Sequence, residues 1–286
     1  MIGFFNCNKP RFVSSGYVVN KIKKATKEKC GHLGTLDPNA TGVLPIAIGK
    51  ATRFFDYFLK KDKIYKAKCK FGVLTTTLDE EGEVLQTEDV DISFLQINEK
   101  INQLSGKIMQ TPPIYSAISI NGKRAYEYAK NNQEIELNPR PVEVYEFKCI
   151  RQVEKNVFEF FIHCSAGTYV RSLLLDLAKL LGTISTTIEI DRQKSGTFLL
   201  ENAHTLDEIC ENPERCLLSV ESVLPNVAVV YITAKQLKNL CDGKMVPQND
   251  LPDEEFLVKY GDNIVCLAEN VDGCIKSKIY LYTEEK

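Results

Sequence analysis

The chain has 286 residues, 44% of them hydrophobic, with 36 Lys and Arg against 38 Asp and Glu and a net charge of −2. That length suits one large domain, or one with a small companion, and the apolar content is enough for a sizeable core. Three histidines and no CxxC pair give a structural zinc site little support, and no apolar run is long enough to span a bilayer. The opening MIGFFNCNKP reaches polar residues too soon for a secretory leader, so a cytoplasmic protein with reduced cysteines is expected.

The near-neutral total hides an asymmetry. Residues 1–70 carry 15 Lys and Arg against 4 Asp and Glu, whereas residues 201–286 carry 8 against 16. A basic first quarter suggests a face for a polyanion, although a lysine-rich solvated surface has the same composition.

Taken in chain order, SSGYVVNKIKKATKEK predicts a helix. Ser14 or Ser15 can cap it, and Val18, Val19, Ile22 and Ala25 fall on one side. After a glycine-rich loop, KATRFFDYFLKK predicts a second helix with Phe54, Phe55 and Phe58 as its apolar stripe. KIYKAKCKFG alternates strictly and predicts a strand, with Tyr65, Ala67, Cys69 and Phe71 on one face and Lys66, Lys68 and Lys70 on the other. Further on come a Pro-Pro start, an Asn121-Gly122 turn, a short basic helix and two strands, RPVEVYEFKCI and NVFEFFIHC. GTYVRSLLLDLAKLLG predicts a helix capped by Thr168 and stopped by Gly182. The acidic tail is strand-rich after a short helix around AKQLKNLCDG. Strands and helices mix without regular alternation, which favours an α+β or mixed α/β fold.

The stretch with chemical promise is GHLGTLDPNATGVLPIAIGKATR, Gly31 to Arg53. Pro38 restricts Asp37 to an extended or turn conformation. The glycines allow close backbone approach. Read alone, Asp37 is either a functional carboxylate on a stiff loop or a turn aspartate bonded to its own backbone. GxxxxGK[ST] and GxGxxG are both absent.

The same stretch resembles the signature of the TruB family of pseudouridine synthases, roughly G-H-x-G-[TA]-L-D-P-x-A-[TS]-G-[VL]-L-P-[VI]-x-x-[GN]-x-A-T-[RK]. The resemblance continues through KIYKAKCKFGVLTTTLDEEG, with Thr75, Thr77, Asp79 and Gly82 in their pattern, through QTPPIYSA and RPVEV, and through CSAGTYVRSLLLDLAKLLG. It implies an α+β pseudouridine synthase fold: a mixed, mostly antiparallel sheet flanked by helices, and a small β-rich PUA-like domain. The implied division is 1–228 for catalysis, with an RNA-contacting insertion near 110–142, and 229–286 for the small domain.

The family isomerises uridine 55 in the TΨC loop of tRNA and uses no cofactor and no metal. The resemblance makes Asp37 the catalytic carboxylate, with Tyr65 and Arg171 as catalytic partners. It makes His32, Tyr65, Tyr169, Arg171 and Ile190 contacts to the displaced base and its RNA. It further implies a cytoplasmic monomer that binds the T-stem loop of tRNA, with no membrane and no obligatory protein partner. Two positions depart: Phe12 stands where K-P-x-G-x-[TS]-S has its glycine, and Asp191 stands in the L-R-R pattern as Ile190-Asp191-Arg192.

The residue types suit the reaction. Cleaving a glycosidic bond builds positive charge on the sugar, which an ionised carboxylate can meet. An isomerase that returns its own base activates no water, so one carboxylate suffices, whereas a glycosidase would want two. Arg171 is the cation expected to pair with Asp37, in a bidentate manner. A flipped base loses its stacking, and Tyr65 can replace it. Two alternatives share these residues: a tRNA-folding protein with secondary catalysis, and a guide-dependent relative acting on ribosomal RNA.

Overall fold

Strict alternation makes Lys63–Phe71 a strand, and its odd-numbered residues from Lys63 to Phe71 are buried while Lys66 and Lys70 are exposed. In the computed structural model, which describes the chain apart from Ala117, Asn121, Asn131, Asn132, Glu134, Glu136 and residues 283–286, this strand lies inside a ten-stranded mixed sheet. Eight strands follow the order His204–Thr205, Gly3–Lys9, Thr41–Ile48, Ser185–Ser195, Lys63–Phe71, Val157–Cys164, Arg140–Glu154 and Gly106–Gln110. Cys30–His32 and Phe198–Leu199 pair onto its sides. Only two of these pairings are parallel, Gly3–Lys9 with His204–Thr205 and Thr41–Ile48 with Ser185–Ser195. The result is the mixed, mostly antiparallel sheet of the expected α+β fold.

The first helix runs Ser15–Thr26, and its cap is Ser14, whose hydroxyl accepts from Tyr17 N at 3.1 Å. Val18 and Ile22 are buried, but Ala25, in the last turn before Lys27 turns left-handed and ends the helix, is exposed. The predicted second helix is a 3-10 segment, Gly49–Phe54, continued by Phe55–Leu59. Phe54 and Phe58, four apart, share its buried face; Phe55 falls off that face and is exposed. Val170–Leu180 buries Leu173, Leu174, Leu177 and Ala178 against the sheet. Thr168 does not cap this helix: Tyr169 occupies the cap position without a side-chain cap bond. Gly182, at φ +75°, follows its last turn. The Asn121 half of the predicted Asn-Gly turn lies outside the described residues; beyond it, Ala125–Lys130 forms the short helix.

A five-stranded sheet closes the chain, in the order Ala228–Tyr231, Phe256–Tyr260, Asn263–Val271, Cys274–Tyr280 and Val246–Pro247. Thr233 and Gln236 form a capping box at the start of helix Ala234–Cys241 beside it. Leu257, Leu267 and Leu281 of this region pack into one cluster with Phe4, Phe54, Phe58 and Phe198. The phenylalanine rings meet edge-on, Phe4 with Phe58 and Phe58 with Phe198 both at 5.3 Å, a geometry worth ~0.5–1.5 kcal/mol per pair beyond burial. Arg53 Nη1 donates to Tyr280 O at 2.5 Å, and Lys50 Nζ donates to Tyr282 O. The basic end of the Gly31–Arg53 stretch therefore binds the C-terminal sheet.

Candidate active site

The Gly31–Arg53 stretch is a strand, a loop and a strand. Cys30–His32 pairs with the far end of Thr41–Ile48, so residues 33–40 must turn back within a short span. Leu33, Leu36 and Ala40 fold inward and are buried, while Asp37 stays half-buried. Asp37 and Pro38 open a turn closed by Ala40 N donating to Asp37 O at 3.1 Å.

Distant side chains pin this loop. Ser15 Oγ donates to Leu36 O at 2.8 Å and accepts from Leu36 N at 2.9 Å. Lys9 Nζ donates to Pro38 O at 3.0 Å, and to Pro10 O and Val13 O at 2.8 Å each. Arg192, fully buried, donates to Val43 O at 2.7 Å and to Gly34 O and Thr35 O at 3.2 Å. Burial lowers Lys9 to about 8, against the pull of the Asp37 carboxylate. Gly42, at φ +98°, allows the loop to close: a Cβ there would lie 2.3 Å from Arg192 O. The glycine expected to admit a ligand instead admits the protein's own backbone.

Arg171 Nη2 meets Asp37 Oδ2 at 2.9 Å. The pairing is not bidentate. The guanidinium divides its fork, with Nη1 3.4 Å from Asp79 Oδ2. It also donates to Thr77 O at 2.7 Å and to Tyr115 O at 2.8 Å. Geometry dictates the split: Asp79 is buried at a tight turn, where Leu78 has φ +62° and Glu81 N donates to Asp79 Oδ1 at 3.2 Å.

Beside Asp37 opens a cavity of about 560 Å³, in the size range of small-ligand sites. His32, Asp37, Tyr65, Tyr169, Arg171 and Ile190 all line it, so the six residues singled out in the sequence converge on one space. Burial pushes the Tyr65 hydroxyl up to about 12, with the Arg192 cation pulling the other way. Tyr65 is therefore a neutral phenol at physiological pH. Burial also raises Tyr169. Its backbone is clamped by Gln110, whose Oε1 accepts from Tyr169 N at 2.8 Å and whose Nε2 donates to Tyr169 O at 3.1 Å.

Lys9, Asp79, Gln110 and Arg192 support the site without having been singled out. Asp79 and Gln110 had a signal in the T-x-T-x-D-x-x-G and Q-x-P-P patterns, and Arg192 in I-D-R. Lys63 also lines the cavity, donating to Leu59 O at 2.7 Å, and burial lowers it to about 8.

A family model for the N-terminal domain of TruB family pseudouridylate synthases matches residues 21–170. The tRNA pseudouridine synthase B of Clostridium tetani is 38% identical over 257 residues, 89% of either chain. The protein of that name from Streptococcus mutans is 38% identical over 96% of this chain and 98% of its own. The chain belongs to the TruB family. A solved structure of a Cbf5-Nop10-Gar1 complex is similar with a TM-score of 0.72 at 24% identity, covering 96% of this chain and 84% of that one, a likeness of fold.

Both departures from the TruB pattern have a structural account. Phe12, in place of glycine, still takes the left-handed conformation of that turn, at φ +64°. Asp191, in place of arginine, accepts from Thr41 Oγ1 at 2.9 Å and from Gln193 Nε2 at 2.6 Å, joining the two parallel strands. Among the described residues no helix is long and apolar enough to cross a membrane, and no three metal-ligating side chains gather.

Proposed function

We propose that this protein converts uridine 55 in the TΨC loop of tRNA into pseudouridine, as a cytoplasmic monomer without a cofactor or protein partner. The observation that carries the reading is the Asp37–Arg171 pair at a cavity that Tyr65 also lines. Residues 1–228 are the catalytic unit in this reading, and 229–286 a small appended domain.

The bond from uracil N1 to C1′ breaks, the base rotates, and a bond from C5 to C1′ forms. The proton leaving C5 balances the one gained at N1, so the product is an isomer. Asp37 meets the sugar or base as that charge develops, by attack at C1′, attack at C6 or removal of a sugar proton. All three routes need a positioned carboxylate, and Arg171, 2.9 Å from Asp37, supplies a fixed cation to orient it. The uridine must leave its stack, and Tyr65 offers a ring against the displaced base. Because its hydroxyl is neutral, Tyr65 can relay a proton from C5 but does not start as a phenolate.

The test is mass-spectrometric mapping of pseudouridine in an unmodified tRNA transcript incubated with the purified protein alone. Pseudouridine at position 55 supports the reading. Its absence, with tRNA still bound, would favour the tRNA-folding alternative.

A further inference from the structure

Phe12 stands at the rim of the Asp37 loop in a conformation its side chain disfavours. Its φ is +64°, where a bulky residue is strained unless its surroundings impose the geometry. Burial gives no reason for it, since the ring is 67% exposed. Contacts on both sides hold it. Phe12 N donates to Pro38 O at 2.8 Å, one residue from Asp37. The Arg11 guanidinium lies 4.9 Å from the ring centroid, and Arg11 itself donates to Asn39 Oδ1 at 2.6 Å and Ile188 O at 2.9 Å. The Phe12 backbone is thus tied to the residue that follows Asp37, and its ring stands exposed beside the Arg11 guanidinium.

The pattern continues into the adjoining helix. Tyr17 is 45% exposed, with Lys21 Nζ 5.7 Å from its centroid. Tyr17, Lys21 and Lys24 share one solvent face of helix Ser15–Thr26, spaced by four and three residues. Exposed rings interleaved with cations are the surface that binds unpaired nucleic acid, because every base has a π-face to stack and every nucleotide a phosphate to neutralise.

Resting on the tRNA reading above, we infer that Phe12 is a stacking platform for an unpaired base that flanks the displaced uridine. The Tyr17, Lys21 and Lys24 edge follows the RNA backbone beyond it. Flipping one base exposes its neighbours, and an exposed ring whose backbone is bonded to the residue after Asp37 stands on the surface such a neighbour crosses. The TruB pattern has glycine at this position. The contact is therefore an addition of this chain that raises affinity without entering the chemistry.

The experiment uses the full-length protein and a T-stem-loop hairpin carrying 2-aminopurine at each unpaired position in turn. Phe12→Gly relieves the backbone, since glycine accepts φ +64°, and should melt no lower than wild type. Phe12→Gly and Phe12→Leu should bind the hairpin about 5- to 100-fold more weakly, with KM raised and kcat within about threefold of wild type. Phe12→Trp should keep wild-type affinity. At one loop position the 2-aminopurine quenched in the wild-type complex should brighten with Phe12→Gly. Wild-type affinity in Phe12→Gly, with the same fluorescence at every position, would overturn the inference. A wild-type preparation that forms no pseudouridine would instead sink the catalytic reading, a separate readout on the same sample.

Discussion

Arg171 and Asp37 meet at 2.9 Å, yet the arginine side chain is 4% exposed and the aspartate 37%. The buried partner is the fixed one, held by Asp79 and two carbonyls. Asp37 is the member that can turn toward a substrate. Lysine in place of Arg171 keeps a charge but cannot reach both carboxylates. Arg171→Lys should lower turnover about 10²-fold, the scale of a misplaced catalytic group, with a modest loss of tRNA binding. Single-turnover rates and equilibrium binding on one preparation check this, and wild-type turnover would remove Arg171 from the site.

Asp37→Asn removes the charge and keeps the shape. The loop is held by Lys9, Ser15 and Arg192 through backbone atoms, so its conformation should survive. The variant should bind tRNA about as well as wild type and form no detectable pseudouridine. Retained isomerisation would move the catalytic carboxylate elsewhere. Loss of binding together with activity would make Asp37 a structural turn residue.

Gly42→Ala tests the loop's closure. The added Cβ would lie 2.3 Å from Arg192 O and 2.7 Å from Arg192 N, at a φ of +98°. Steric overpacking and backbone strain together predict a loss of about 2–4 kcal/mol, read from urea unfolding. Activity should fall further than stability, because displacing Arg192 frees the carbonyls of Gly34 and Thr35. A stability within experimental error of wild type would contradict the packing described.

These variants divide along what the sequence made legible. Strand Lys63–Phe71 was readable because alternation is local, and Asp37 because Pro38 and its signature stand beside it. The loop's stiffness was read from Pro38 and the glycines, whereas much of it comes from Ser15, 21 residues from Leu36, and Arg192, 157 residues from Thr35. Such bonds leave no periodicity in the chain. The bidentate pairing expected of Arg171 failed for the same reason: nothing near Arg171 in sequence shows that Asp79 would claim half of the fork. Lys50 and Arg53 look like RNA contacts in a basic quarter, and only the tertiary fold turns them toward the carbonyls of Tyr282 and Tyr280.

The basic face retains candidates that no carboxylate among the described residues neutralises within ion-pair distance. Lys21, Lys24 and Lys27 are exposed along and just beyond helix Ser15–Thr26. Reversing all three to glutamate should weaken tRNA binding. Each lost phosphate contact should also lower the slope of log affinity against log salt by about 1. A salt slope equal to wild type would show that RNA approaches another face. Thermal melting checks for the separate cost of acidic groups at a helix C-terminus, about 0.3–1 kcal/mol each.

Lys9 and Lys63 are buried cations, and burial lowers each from 10.5 to about 8. Between those values the folded chain holds fewer protons than the unfolded one. Their contribution to stability therefore grows as pH rises from about 8 toward about 10.5, and their burial costs most below about 8. Tyr65 acts in the opposite sense, but only above about 10, where an unfolded tyrosine ionises and the buried one, raised to about 12, does not. The buried thiols of Cys7, Cys69, Cys149, Cys164 and Cys266, raised by burial from 9.0 to about 11 or 12, also act in the opposite sense from about 8.5 upward, so the lysine is read from the difference between two proteins that share those thiols. Lys63→Met keeps much of the stem and cannot titrate. Urea unfolding of both proteins between pH about 8 and about 9.5 should show wild type gaining stability relative to the variant as pH rises, by at most ~1.4 kcal/mol per pH unit. The same slope in both proteins would mean that Lys63 titrates alike in the folded and unfolded chains, and that its ammonium is not desolvated beside the cavity.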